Sequence, residues 1–186
     1  MMPPTAHYEP HFIEQQDAAR LLSEIDAAPW RDDLKRRVQH YGYRYDYKAR
    51  RVTSDSYLGP LPSWLDTMAG RLLDDGYFAQ RPGQVIVNEY LPGQGIAPHV
   101  DCEPCFGDVV ASLSLGSGCI MVFARAETGE TVSHYLEAGS LVVLRGASRF
   151  DWTHGIPVRK SDIVDGLATI RQRRVSLTFR TVIAKA

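Results

Sequence analysis

The 186-residue chain has no long apolar run, no repeat period, no low-complexity tract and few cysteines, and each absence narrows what it can be. No stretch approaches the roughly 18 apolar residues of a membrane-spanning helix. Met1–Pro10 carries prolines where a secretory leader would carry an apolar core, so the expectation is a cytoplasmic protein with no membrane partner. Cys102, Cys105 and Cys119 form an odd set in a chain without an export signal, which argues for reduced thiols and against disulfides. Cys102-x-x-Cys105 has the spacing of half a zinc site, but no second pair completes it. A net charge of −1 gives no overall attraction to nucleic acid. With no linker or shift in composition, the length fits one domain spanning 1–186, expected as a monomer.

What is present sorts into an N-terminal helical part and a C-terminal β part. Ala18, Leu21, Leu22 and Ile25 recur at helical spacing within 14–28, and Pro29 stops the helix. A second helix is predicted over 62–75, ending at Gly76. Between them Tyr41, Tyr43, Tyr45 and Tyr47 alternate in a segment that reads as a strand with four rings on one face. After Gln84 come short apolar, β-branched runs divided by glycine turns: QVIVNEY, VVASLSL, CIMVFA, TVSHYL, LVVL and RRVSLTFRTVI. This is the pattern of a mostly β sandwich or jelly roll, with the N-terminal helices bracing the outside of one sheet.

His99 and Asp101, in APHVDCE, are two apart, so on a strand both side chains leave the same face. An isolated H-x-D is equally a loop pair; a metal site needs a third ligand, and His154 in FDWTHGI is the candidate by its place near a strand end. Two histidines and a carboxylate on one face of an octahedron suit non-haem iron(II), while zinc is a rival occupant. Arg174 and Arg180, six apart on the last strand, point to one side and could hold the two carboxylates of a small diacid. Between Arg31 and Arg51 stand eight basic residues against three acidic ones, a stretch that could meet phosphate or form an ordinary solvated face. His7, His11, His40 and His134 read as surface or strand residues. Arg149 could close over an entrance or pair with Asp151.

Taken together, Asn88-x-Tyr90, His99-x-Asp101, SRFDWTHGI around His154 and R-x5-R at Arg174 and Arg180 resemble the AlkB family of 2-oxoglutarate dioxygenases, from about Phe12 to Val182. The resemblance implies a double-stranded β-helix (jelly roll) core over about 84–182 and a nucleotide-recognition lid over about 31–60. It implies iron(II), 2-oxoglutarate and oxygen as cofactor and co-substrates, with His99, Asp101 and His154 as ligands. Asn88, Tyr90 and Arg174 would bind 2-oxoglutarate, and Arg180 would support the site near the metal. The family reaction decarboxylates 2-oxoglutarate to succinate and hydroxylates a substrate C–H bond. The implied partner is nucleic acid, alkylated DNA or RNA, with Tyr41, Tyr43, Tyr45, Arg51 and Arg149 as candidate substrate contacts. Oxidative demethylation of alkylated bases is the first expectation. The alternatives are hydroxylation of a modified wobble uridine in tRNA, and a protein or small-molecule hydroxylase. The wording RRVQHYGY, NEYLPGQGI and WTHGIPVRK favours the wobble-uridine branch, as does Ser176 where the bacterial repair enzyme has asparagine.

Overall fold

The computed structural model describes residues 1–32 and 34–183; Asp33, one of the acids counted in the basic stretch, lies outside the described residues. In chain order the elements are β1 (His7–Glu9), α1 (Gln15–Ala27), β2 (Val38–Tyr41), α2 (Ser63–Asp74), β3 (Gln84–Tyr90), β4 (Ile96–His99), β5 (Phe106–Gly116), β6 (Cys119–Arg125), β7 (Thr131–Leu136), β8 (Leu141–Arg145), α3 (Ala147–Phe150), β9 (Trp152–Ile156), β10 (Ser161–Val164), β11 (Leu167–Ile170) and β12 (Arg174–Val182). An antiparallel six-stranded sheet runs β1-β8-β5-β12-β3-β2, and a four-stranded sheet runs β4-β9-β6-β7. The two make the open jelly roll the sequence predicts, without closing into a barrel.

Period-two alternation sets what each face of the large sheet does. On β12, Val175, Leu177 and Phe179 join the core beneath the helices, while Arg174, Ser176, Thr178 and Arg180 face a cavity on the other side. β3 divides likewise, with Val85 and Val87 toward the helices and Ile86, Asn88 and Tyr90 toward the cavity. Such a strand is buried on both faces, so Val85, Ile86 and Val87 run unbroken and the polar Gln84, Asn88 and Glu89 are buried with them. Leu21 and Ile25 of α1 and Leu65, Met68, Ala69 and Leu72 of α2 cover the outer face, the predicted bracing. α1 ends because Ala28, preceding Pro29, is extended at φ −92, ψ 152. α2 ends in Gly76 at φ +78, with the Gly76 and Tyr77 amides donating to the carbonyls of Leu73 and Leu72.

Three expectations need correction. The tyrosine segment is not one strand: β2 stops at Tyr41 because Gly42 turns the chain at φ +76, packed against the Gly83 carbonyl. Its rings therefore scatter. Asp101 is not on a strand with His99; β4 ends at His99 and Asp101 sits in the following loop. Cys102 and Cys105 are not free thiols but a disulfide, because a turn in which the Cys105 amide donates to the Cys102 carbonyl brings their Cα atoms to 5.3 Å. Among the described residues no helix is long and apolar enough to cross a membrane.

A Cβ on residue 42 would lie 1.8 Å from the Gly83 carbonyl oxygen, in a conformation that disfavours any side chain. Gly42→Ala should lower stability by about 1–3 kcal/mol in urea denaturation; an unchanged midpoint would show that the turn is not under this constraint.

Candidate active site

Between the two sheets lies a cavity of about 300 Å³, walled by apolar residues including Val110, Met121, Leu144 and Ile156. His99, Asp101 and His154 come together at it from three segments: the end of β4, the loop after it, and the middle of β9. His99 and His154 are direct partners across the β4–β9 ladder, so their rings lie 4.5 Å apart between centroids. His154 thus sits within a strand rather than beyond one, as its sequence position suggested.

The three side chains offer ligand atoms all within 4.8 Å of one another. The Asp101 carboxylate oxygen Oδ1 is 3.3 Å from His99 Nε2 and 3.5 Å from His154 Nε2. The Ala97 carbonyl lies 2.8 Å from His99 Nδ1; with the proton on Nδ1 donated there, the Nε2 lone pair is left toward the shared point. Burial drives the His154 pKa down to about 4, so its imidazole is neutral at physiological pH, as a metal ligand must be. Burial alone would raise the Asp101 pKa, but the Arg180 guanidinium and the two histidines outweigh it and hold the carboxyl well below the usual range. Two imidazoles and one carboxylate fit a divalent metal with positions left open for co-substrates.

The pair of arginines divides its work. Arg180 Nε donates to Asp101 Oδ2 at 2.6 Å, fixing the carboxylate from behind. Arg174 is different: Nη2 donates to Ser114 Oγ at 2.9 Å, while Nε and Nη1 are buried with no partner. A guanidinium that is 3% exposed and short of acceptors calls for an anion, and a carboxylate of 2-oxoglutarate matches it in charge and planar geometry. The Tyr90 ring lies 5.4 Å from that guanidinium, and burial keeps its phenol protonated and able to donate. Asn88 Oδ1 accepts from Arg36 Nε at 2.9 Å, which leaves the amide nitrogen of Asn88 as a donor beside them.

The substrate candidates separate. Tyr45 lines the cavity, but Tyr41 packs edge-on against Trp64 on the helix side and Tyr43 packs against Tyr57, neither reaching it. Arg51 is exposed and pairs its backbone with Asp46; its neighbour Arg50 lines the cavity instead. Arg149 neither closes an entrance nor pairs with Asp151. It is 2% exposed under the metal loop, where Nη1 donates to the Asp101 carbonyl at 3.0 Å. Within 31–60, three residues besides Tyr45 line the cavity: Arg36, Tyr47 and Arg50. Arg36 lies two residues before β2 in the basic stretch and Tyr47 is one of the four alternating tyrosines, but nothing in the sequence distinguishes Arg50 from Arg51; the left-handed turn at Arg50, φ +49, does.

A profile of the 2OG-Fe(II) oxygenase superfamily matches residues 31–180. The chain is 36% identical to the mouse protein named tRNA (carboxymethyluridine(34)-5-O)-methyltransferase ALKBH8, over 97% of this chain and 31% of that protein. It is also 36% identical to an Arabidopsis thaliana protein named alkylated DNA repair protein ALKBH8 homolog, over 93% of this chain and 57% of that one. The chain thus spans less than two thirds of either relative. In fold it is similar to the solved structure of OsALKBH1, with a TM-score of 0.70 at 19% identity over 97% of this chain and 98% of that one. Enzymes of this kind are oxidoreductases that use iron(II), 2-oxoglutarate and oxygen, and the donor set at the cavity agrees; the chain belongs to the 2OG-Fe(II) oxygenase superfamily, as an AlkB-like member.

Proposed function

We propose that the chain is a nucleic-acid oxygenase that hydroxylates a C–H bond on a base turned into the cavity, with residues 31–60 acting as the lid that recognises the nucleotide. A methyl on a ring nitrogen, once hydroxylated, gives a hemiaminal that collapses to formaldehyde, so the outcome in alkylated DNA or RNA is oxidative demethylation. A hydroxylated carbon on the C5 substituent of a wobble uridine in tRNA stays as an alcohol. The observation that carries the reading is that aromatic and cationic side chains of the lid, Tyr45, Tyr47, Arg36 and Arg50, line the same cavity as His99, Asp101 and His154. Aromatic rings give an extruded base a stacking surface, and guanidiniums give its nucleotide a counter-charge. The names of the mouse and Arabidopsis relatives, a tRNA-modifying enzyme and an alkylated-DNA repair protein, support it.

His99, Asp101 and His154 would hold iron(II), and Arg174, with Asn88 and Tyr90 beside it, would hold 2-oxoglutarate. When bound, iron(II) and 2-oxoglutarate supply, with oxygen, the oxidant that puts one oxygen atom into a C–H bond while 2-oxoglutarate becomes succinate and carbon dioxide. The chain's own work is positional. Arg180 keeps Asp101 ionised and aimed, the Ala97 carbonyl fixes one imidazole, and the apolar walls exclude water from the reacting carbon. Incubation of the iron-loaded protein with 2-oxoglutarate and either total tRNA or methylated oligonucleotides, read by nucleoside mass spectrometry, tests the assignment. A base that gains oxygen or loses a methyl supports it. Succinate formed only by uncoupled turnover across all nucleic acids, with a peptide or small molecule hydroxylated instead, overturns it.

Two variants separate the roles of the arginines. Arg174→Met should raise the KM for 2-oxoglutarate by about 10- to 100-fold, since a charge-assisted bidentate contact is lost, while metal binding is kept; unchanged KM would remove Arg174 from the co-substrate site. In the metal-free protein, Arg180→Met leaves the Asp101 carboxylate buried without its cation and should destabilise the fold by about 3–5 kcal/mol at neutral pH. Asp101, whose folded pKa is depressed, stabilises the wild type above its unfolded pKa and loses that contribution as pH falls through the folded value. The gap between wild type and variant in urea denaturation should therefore narrow in acid, and a gap independent of pH would show that the ion pair is not its source.

A further inference from the structure

The charged groups lining the cavity are Arg36, Arg50, Arg174 and Arg180 against a single carboxylate, Asp101. Asp101 is already engaged: Arg180 holds one oxygen and the two histidines share the other. Arg174 is matched by a co-substrate carboxylate in the function proposed above. Arg36 and Arg50 remain unmatched, since among the described residues neither forms an ion pair with any acid. Arg36 gives only Nε to Asn88, and its other N–H groups make no hydrogen bond within the described residues. Tyr47 adds a second unsatisfied donor: its hydroxyl is buried without a partner, its ring meets Tyr45 edge-on at 5.1 Å, and burial keeps it protonated with a pKa pushed up to about 12.

A site that offers positive charge and spare donors, with no free acceptor of negative charge, discriminates strongly between nucleobases. Adenine methylated at N1 and cytosine methylated at N3 are protonated and positively charged at neutral pH. Drawn into the cavity, either would lose water and face the Arg36 and Arg50 guanidiniums with no unengaged carboxylate of the chain to offset its charge. A uracil ring carries carbonyl oxygens and no charge, and an acidic substituent on it would add an oxyanion. We propose that Arg36 and Arg50 make this cavity select its base by charge, admitting nucleobases that are neutral or anionic and present acceptor oxygens, and rejecting those that are positively charged at neutral pH. The inference rests on the nucleic-acid reading, and it cuts across the two outcomes proposed there: neutral N-methylated bases remain substrates for demethylation, and C5-substituted uridines for hydroxylation.

The test uses the full chain loaded with manganese(II) and 2-oxoglutarate, so that binding is read without turnover. Fluorescence anisotropy compares short single-stranded RNAs identical but for one base: 5-carboxymethyluridine, 5-methyluridine or N3-methylcytidine. The wild type should bind the first two at least about tenfold more tightly than the third. Arg50→Gln should shrink that preference with 2-oxoglutarate affinity unchanged; Arg36→Gln should shrink it and Arg36→Glu should invert it, each with some fall in 2-oxoglutarate affinity as the bond to Asn88 is lost. Arg50 is exposed, so its variant reports even if a change at Arg36 disturbs the fold. Equal weakening of all three RNAs would overturn the proposal by assigning the arginines to phosphate. A loss of 2-oxoglutarate affinity with the RNA order intact would overturn it by assigning Arg36 to the co-substrate. Wild-type binding that ignores the charge of the base would overturn charge selection alone, whereas no binding of any RNA would remove the nucleic-acid reading itself.

Discussion

A carboxylate taken out of water must find a cation, and in this protein that requirement is met at Asp101 by Arg180. The Asp101 side chain is 3% exposed, and Arg180 Nε reaches it at 2.6 Å. Because the ion pair joins a loop to the last strand of the large sheet, it converts the rigidity of β12 into the placement of a ligand that is not itself in any strand. Arg149 holds the same residue by its backbone, donating to the Asp101 carbonyl. One loop residue is thus clamped at both ends by buried guanidiniums, and His99 and His154 need only the β4–β9 register to meet it.

The sheet supplies the rest through its pleat. Arg174, Ser176, Thr178 and Arg180 share one face of β12, with the under-partnered Arg174 guanidinium at one end and the cation that holds Asp101 at the other. The intervening residues, Val175, Leu177 and Phe179, are at most 1% exposed against the helices. A shift of one residue in register would exchange these faces, putting arginines into the apolar core and phenylalanine into the cavity. Stability and chemistry therefore select the same register.

That coupling explains what could be read from the sequence. Strands QVIVNEY and TVSHYL have the bounds their apolar pattern marks, and the R-x5-R pair falls on one face because six is an even number of residues. Where function hangs on turns the pattern is silent. Gly42 redirects the tyrosines, and the left-handed turn at Arg50 decides which of two adjacent arginines reaches the cavity. The hairpin β10–β11 carries no apolar periodicity toward a core, since Ile163, Leu167 and Ile170 are 62%, 72% and 69% exposed. Its signal is Asp165-Gly166, both at positive φ, the dipeptide of a tight hairpin turn. Its attachment is the buried Asp162, bonded to Arg171, Arg159 and the Ile120 amide, a network that no sequence spacing displays.

The metal loop and the segment over 31–60 are not independent parts. Five residues beyond Asp101, Phe106 lies with its ring 4.6 Å from the Arg180 guanidinium and 5.7 Å from Tyr45 of that segment. The Cys102 sulfur is 3.2 Å from the Arg50 carbonyl, and the disulfide to Cys105 closes the loop between ligand and aromatic ring. Cys102, Cys105 and Phe106 form a small core of their own, on which Tyr45, Val52 and Val182 pack. The segment that brings Tyr45 to the cavity therefore packs on the same few side chains that follow Asp101 in its loop. In so dense a contact neither the aromatic wall nor the carboxylate can shift without the other, so the shape of the cavity mouth and the aim of the Asp101 side chain are set together.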